Sequence, residues 1–318
     1  MSTRAWSLFA AVSTLWGIPY LFIKLGIDGG MPAVLVAWGR IVLAALLLLA
    51  LSWRAGALAG LRGRWRWIAP YAVAEIAIPF PLIAAGETRI ASSLAAIIIA
   101  SVPLIVALLA IRFDHEERAS GTRLAGLFLG LLGVVVLVGI DVAGRPRELV
   151  GAGAVLIAAV GYAAGPMIYK RKLGDLDPRA AMGASLAIAA AILTPAAVLE
   201  LPSHAPTAGA FSSVAVLGLL CTALAFVLFA VLIGEIGPGR ALVVAYINPI
   251  VAVALGVAVL GERPGAGAVA GLLLILAGSW LSTDGRLPPG VSERLSRLTR
   301  GFEKSRPVDV DFAIPRST

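Results

Sequence analysis

Cysteine, histidine and charge are all scarce in this chain of 318 residues. The single Cys221 lies inside an apolar run, so there is no disulfide scaffold and no cysteine metal cluster, and the residue says nothing of the redox compartment. His115 and His204 fall in loops far apart, too few for the ligand set that a zinc site needs, so neither a metal nor a cofactor is expected. Charged residues make up 14% of the chain against 59% hydrophobic ones, and the mean hydropathy is +0.95. Soluble domains carry about 25% charge, and disordered chains lack apolar content, so both classes are excluded. No GxxxxGK[ST] phosphate loop is present, which removes a primary pump, and no nucleophile–base or metal constellation marks an enzyme.

What the chain has instead is apolar sequence in runs near twenty residues, enough to cross a hydrocarbon layer about 30 Å thick. The runs fall at about 5–25, 31–53, 66–86, 91–112 and 122–140, then at about 149–169, 178–199, 210–234, 239–260 and 265–283. They are continuously apolar rather than alternating, which predicts helices and not barrel strands. The first run exceeds a signal-peptide core and lacks an evident small-residue cleavage site, so it is expected to be retained. The expected fold is an all-α integral membrane protein with ten transmembrane helices.

A net charge of +8 would suggest nucleic acid in a soluble protein, but here the basic residues gather between the apolar runs and in the tail. The partner they imply is the lipid bilayer, with no nucleic acid. With a cytoplasmic N-terminus, twelve Lys and Arg fall in inside loops and five outside, so both termini are expected on the cytoplasmic face of the cell membrane. Trp6, Trp53, Trp65, Trp67 and Trp280 sit where an interfacial belt belongs, whereas Trp16 lies mid-run.

Five runs per half is an odd number, so any repeat between the halves must be inverted in the membrane. Ser101-Val102-Pro103 followed by an apolar stretch to Glu116 matches Ile247-Asn248-Pro249 followed by one to Glu262, with thirteen residues from Pro to Glu in each. Gly126 to Gly133 then aligns with Gly271 to Gly278, and Gly17 and Pro19 correspond loosely with Gly161 and Pro166. The domains expected are a first five-helix repeat at 1–140, a second at 141–283 and a basic cytoplasmic tail at 284–318. In the tail Val291, Leu295, Leu298 and Phe302 can line one helix face, suited either to anionic lipid or to disorder. The glycine rows are close-packing faces, so the fifth and tenth helices serve as scaffold or dimer seam, and the chain is a monomer or a homodimer.

Leu15-Trp16-Gly17, Arg40 opening an Ala/Leu-rich second helix, SSLAAIIIASVPL at 92–104 and NPIVAVALGVAVLGERP at 248–264 together resemble the EamA-type members of the drug/metabolite transporter superfamily. The resemblance covers nearly all of residues 5–283, and its specificity lies in the order and spacing of the motifs. It implies ten helices, cytoplasmic termini, a central cavity between the halves and transport of small metabolites, frequently export. Phe113 to Arg118 departs from the shorter turn common in the family.

Arg40 and Glu75 are the two ionisable residues deep in the runs, and each lies nine residues from the start of its run. That depth is roughly 13 to 14 Å in a core about 30 Å thick, so both reach the midplane and are expected side by side as a neutral pair. The pair either ties helices 2 and 3 together or handles substrate and coupling charge. Pro19, Pro79, Pro81, Pro103, Pro166 and Pro249 are expected to kink their helices toward protein or a wet cavity. Tyr20, Ser92, Ser93, Ser101, Tyr246 and Asn248, with Trp16 and Tyr162 as walls, form the expected cavity lining for a small-molecule substrate. Lys24 and Glu87 either pair as an outer gate or snorkel to the interface.

The expected function is a secondary transporter of small organic metabolites, most simply an exporter of amino acids or related compounds working by alternating access, with proton coupling through Glu75. Efflux of cationic drugs attracted by Glu75 and Trp16 stands as an alternative. A non-transporting membrane enzyme or receptor stands as one from another class.

Overall fold

The computed structural model describes residues 2–113, 122–237, 241 and 243–282, and all regular structure among them is helical. Eight segments are long and apolar enough to cross a membrane: α1 (Thr3–Asp28), α2 (Ala33–Arg54), α3 (Trp65–Glu87), α4 (Ser92–Leu109), α5 (Thr122–Val142), α6 (Pro146–Lys172), α7 (Pro178–Leu199) and α8 (Ala208–Ile236). Two shorter apolar helices follow, α9 (Val244–Leu260) and α10 (Ala266–Ser282), each of 17 residues. At 1.5 Å per residue these two reach roughly 25 Å. By length and composition the structure therefore shows eight spans and two shorter helices where the sequence suggests ten. His115, Glu116, Arg240 and the tail lie outside the described residues.

Backbone chemistry dictates where the rods break. Pro19 has no N–H, and α1 is interrupted at Ile18 between Thr3–Gly17 and Pro19–Asp28. In α3 a π-helical turn at Val73–Ala77 precedes Pro79, and Pro81 follows in the resumed helix. Before Pro103, α4 divides into Ser92–Ile99 and Val102–Phe113, with the Ser101 hydroxyl donating to the Ile98 carbonyl at 2.6 Å. The expectation of kinks fails at Pro166 and Pro249, which lie inside uninterrupted helices. At Pro249 the neighbouring Asn248 amide, oriented to satisfy its surroundings, donates to the Val244 carbonyl at 2.8 Å, which compensates the loosened turn. In α6, Pro166 is held by lateral packing between α3 and α4. A second π-helical stretch, Val216–Leu224, interrupts α8 without any proline.

The packing pattern is unchanged when α1–α5 are exchanged with α6–α10. The pairs α2/α7, α5/α10 and α4/α9 map onto themselves, α3/α6 maps onto α8/α1, and α4/α6 maps onto α9/α1. Small residues set the closest of these contacts. A Cβ on Gly126 would stand 2.7 Å from the Gly278 carbonyl, and one on Gly271 would stand 2.8 Å from that of Gly133, so α5 and α10 meet backbone to backbone. Likewise Gly17 lets the break in α1 touch α9, where a Cβ would lie 2.9 Å from the Asn248 carbonyl.

The two ends of the bundle differ. At the end that carries Glu87, Ser92 and Glu262, the first piece of α4 packs on α1, α6 and α9. Toward the other end the second piece of α4 packs on α6, α5 and α10, with Ile105, Ala159 and Ala163 at its core.

Candidate functional site

Arg40 stands in the middle of the interior, 9% exposed. Its Nε donates to Thr222 Oγ1 at 2.7 Å, and its guanidinium lies 4.2 Å from the centroid of the Phe80 ring. Thr222 can face it because its hydroxyl is held by the Leu217 carbonyl at 2.8 Å, five residues back, a reach that the π-helical stretch of α8 creates. The planar group is thus fixed on one edge and one face. Its Nε–Thr222 contact is the one hydrogen bond it makes among the described residues, which leaves the terminal nitrogens available to an anion. Phe80 meets Tyr162 edge to face at 6.4 Å, and Tyr162, Tyr20 and Cys221 all lie within electrostatic reach of Arg40.

Glu75 is not the partner of Arg40, contrary to the expected pair. One of its oxygens, Oε2, is buried without a hydrogen-bond partner, and it lies against Gly165 of α6 in a space that a Cβ would fill. The cause is the π turn. Its extra residue rotates everything beyond it by about 100° relative to a straight helix, so Glu75 turns to α6 while Phe80 turns to Arg40. Gly161, whose Cβ would stand 2.5 Å from the Ala74 carbonyl, permits the same close approach. Tyr162 lies within electrostatic reach of both Arg40 and Glu75 and is the group between them.

The expected gate pair is also not formed. Lys24 pairs with Asp28 one turn along its own helix at 3.4 Å and donates to the backbone carbonyl of Glu87 at 3.4 Å. The Glu87 carboxyl is 0% exposed and neither oxygen has a partner. The partly solvated Asp28 costs less to pair than a carboxylate drawn into the interior.

The polar lining divides. Tyr20 joins the Arg40 group, whereas Trp16 packs on Phe229 at 4.6 Å and Phe226 at 5.6 Å of α8. Asn248 donates to the Ser13 carbonyl at 3.0 Å, tying α9 to α1, and the Tyr246 hydroxyl donates to the Ser279 carbonyl at 3.2 Å. Both therefore serve helix contacts rather than an open wall. Ser101 is engaged within α4, while Ser92 and Ser93 lie at the start of that helix, where their backbone N–H groups donate to Glu262 at 2.7 and 2.9 Å. Burial alone would raise the Glu262 carboxyl, but the hydrogen bonds from Ser93 and Ser92 together outweigh it and hold the group below its usual range.

Phe80, Thr222, Gly165 and Glu262 were not among the residues expected at the site. Only Glu262 carried a signal, the repeated thirteen-residue Pro-to-Glu spacing.

Known proteins agree with this architecture. A chain from Escherichia coli (strain K12) described as "Uncharacterized inner membrane transporter YedA" is 28% identical over 256 residues, 79% of this chain and 81% of that one. A "Probable amino-acid metabolite efflux pump" from Salmonella typhimurium is 26% identical over 311 residues, 90% and 96% of the two chains. One solved crystal structure superposes with a TM-score of 0.64 at 21% identity, covering 89% of this chain and 98% of its own, a likeness of fold. The model of the EamA-like transporter family matches twice, at residues 4–139 and 149–283. A multi-pass helical chain built of two such units belongs to the EamA-like transporter family.

Proposed function

We propose that this membrane transporter is a secondary carrier of amino acids or related zwitterions, working in export by alternating access. All ten apolar helices cross the bilayer as two inverted five-helix halves, with both termini cytoplasmic. The observation that carries the reading is Arg40. A guanidinium at this depth costs about 2.5 to 3.5 kcal/mol even with membrane relaxation. Here it is held by Thr222 and Phe80 but not neutralised by a carboxylate. Such a group suits a substrate carboxylate, with Tyr20 and Tyr162 beside it as aromatic, hydroxyl-bearing walls. Glu75, one Tyr162 away, accepts the substrate's ammonium group or a coupling proton, because an unpartnered buried carboxylate is costly until something neutralises it.

The amino-acid wording of the Salmonella relative supports this substrate class. A lipophilic cation suits the site less well, because it would meet the Arg40 charge, and Trp16 is engaged with Phe226 and Phe229. The test is the full-length protein in liposomes with an internal pH dye, challenged with a panel of amino acids and lipophilic cations. Proton flux driven by amino acids, abolished in Arg40→Ala, is the expected result. Response to cations alone, or undiminished flux in Arg40→Ala, would overturn the reading.

A further inference from the structure

The first turn of α4 is capped by the opposite half of the molecule. Its own N-cap position is Ala91, which has no side chain able to accept a hydrogen bond. The acceptors come instead from Glu262 in the α9–α10 connection, one carboxylate oxygen to the Ser92 N–H at 2.7 Å and the other to the Ser93 N–H at 2.9 Å. The cradle for this carboxylate is built by glycines. Gly261 takes a left-handed conformation (φ +65°) that reverses the chain after α9, with the Glu262 N–H donating to the Gly256 carbonyl at 3.0 Å. Gly256 itself leaves the room, since a Cβ there would stand 2.5 Å from Glu262 Oε2. Ser92 lies in the first family match and Glu262 in the second, so the contact crosses between halves.

We propose that Glu262 is a latch that closes this end of the transporter by capping α4, and that opening the end toward the outside requires its release. The inference rests on the alternating-access reading. It explains why the first piece of α4 meets α9 here while the second piece leans on α6, α5 and α10. It also explains why a helix start with no cap of its own is stable in the interior. Separating the halves strips two N–H groups of their acceptors and a carboxylate of its donors, so the closed form is favoured until another interaction replaces them.

The experiment uses the full-length chain in detergent, with Cys221→Ala and Ala95→Cys. Ala95 lies in the first piece of α4 at 0% exposure and so reports opening through the rate of labelling by a hydrophilic maleimide. Glu262→Gln, which removes the charge and can accept from only one N–H without opposing donors, is expected to raise the rate about tenfold. Ser92→Pro removes one of the two N–H donors without harming the helix. Proline is favoured at a first helical position, and Ala91 (φ −63°, ψ 148°) already has the extended backbone that a following proline demands. It is expected to raise the rate about threefold. Glu262→Asp keeps the charge but withdraws it by one methylene, and is expected to give an increase of the same order. Unchanged labelling in all three overturns the latch. A rise in the Glu262 variants without one in Ser92→Pro also overturns it, because capping would then not be what Glu262 contributes. Labelling needs no substrate, so the latch can fail while transport stands, and transport can fail while the latch stands.

Discussion

Helices α3 and α8 are the third members of the two family-matched halves, and both depart from α-geometry, at Val73–Ala77 and Val216–Leu224. What they present at the departure differs. In α3 it is Glu75, with Phe80 beyond it; in α8 it is Cys221 and Thr222. The same asymmetry holds for the second helices. Seven residues into α2 stands Arg40, and seven into α7 stands Ser185, whose hydroxyl is spent on the Ala181 carbonyl at 2.8 Å. The halves share a packing pattern, yet the first holds Arg40, Glu75 and Glu87 while the second offers neutral groups to the same interior. A frame that can rock symmetrically therefore surrounds a site whose charge belongs to one half.

The largest expected effect comes from erasing that asymmetry. Arg40→Ala should lower amino-acid transport by about 100-fold or more, because the substrate carboxylate loses its one fixed cation. Arg40→Lys should recover little, since a point charge replaces neither the planar fork nor the Nε bond to Thr222. Initial uptake rates into liposomes check both, and a Lys variant near wild-type rate would show that charge alone suffices. Glu75→Gln should abolish proton flux while leaving substrate counterflow, which needs no net proton movement. Counterflow lost along with flux would make Glu75 a substrate contact instead.

These two residues also show how far the sequence reaches. Their depth follows from counting 1.5 Å per residue, and the structure puts Arg40 in the interior as counted. Their pairing did not follow, because a π turn has no sequence signature and its one extra residue redirects Glu75 toward Gly165. Polar residues in apolar runs are legible as exceptions, but whether they line a cavity or tie helices is not. Asn248 and Tyr246 prove to serve carbonyls of Ser13, Val244 and Ser279. Prolines mark candidate breaks, yet Pro19 interrupts its helix while Pro166 and Pro249 do not, since lateral packing decides whether a lost hydrogen bond is tolerated. The repeat spacing singled out Glu262, but only the fold supplies its partners on α4.

Smaller changes sharpen the contrast between α3 and α8. Thr222→Val keeps the shape and removes the acceptor for Arg40 Nε, so KM for an amino acid should rise roughly tenfold with stability little changed, as expected for a hydrogen bond to a charged group. An unchanged KM would mean that Phe80 alone orients the guanidinium. Gly165→Ala meets Glu75 Oε2, the free end of a flexible side chain, so the carboxyl should swing rather than the helices part. Proton flux per substrate should fall about threefold with an unchanged thermal midpoint. A large drop in that midpoint would assign Gly165 to packing instead.

The smallest effect concerns how the second helices begin. α2 starts after Pro32 without a side-chain cap, whereas α7 starts after Asp177, whose carboxylate accepts from the N–H groups of Arg179 at 2.8 Å and Ala180 at 3.3 Å and pairs with the Arg179 side chain at 2.7 Å. The Arg179 side chain, followed by the two backbone N–H groups, holds the Asp177 carboxyl below its ordinary value. A carboxyl lowered by folding contributes its stabilisation in full above its unfolded value of about 3.9 and loses it as the pH falls through the lower folded one. Asp177→Ala should therefore cost about 1 kcal/mol at neutral pH, a loss typical of an N-cap, and the difference from the parent should vanish only in acid below about pH 3. Thermal unfolding of the two proteins across that range measures it. A gap that already closes near pH 6 would mean that a group other than Asp177 holds the start of α7, and that the two second helices begin on more equal terms than their caps suggest.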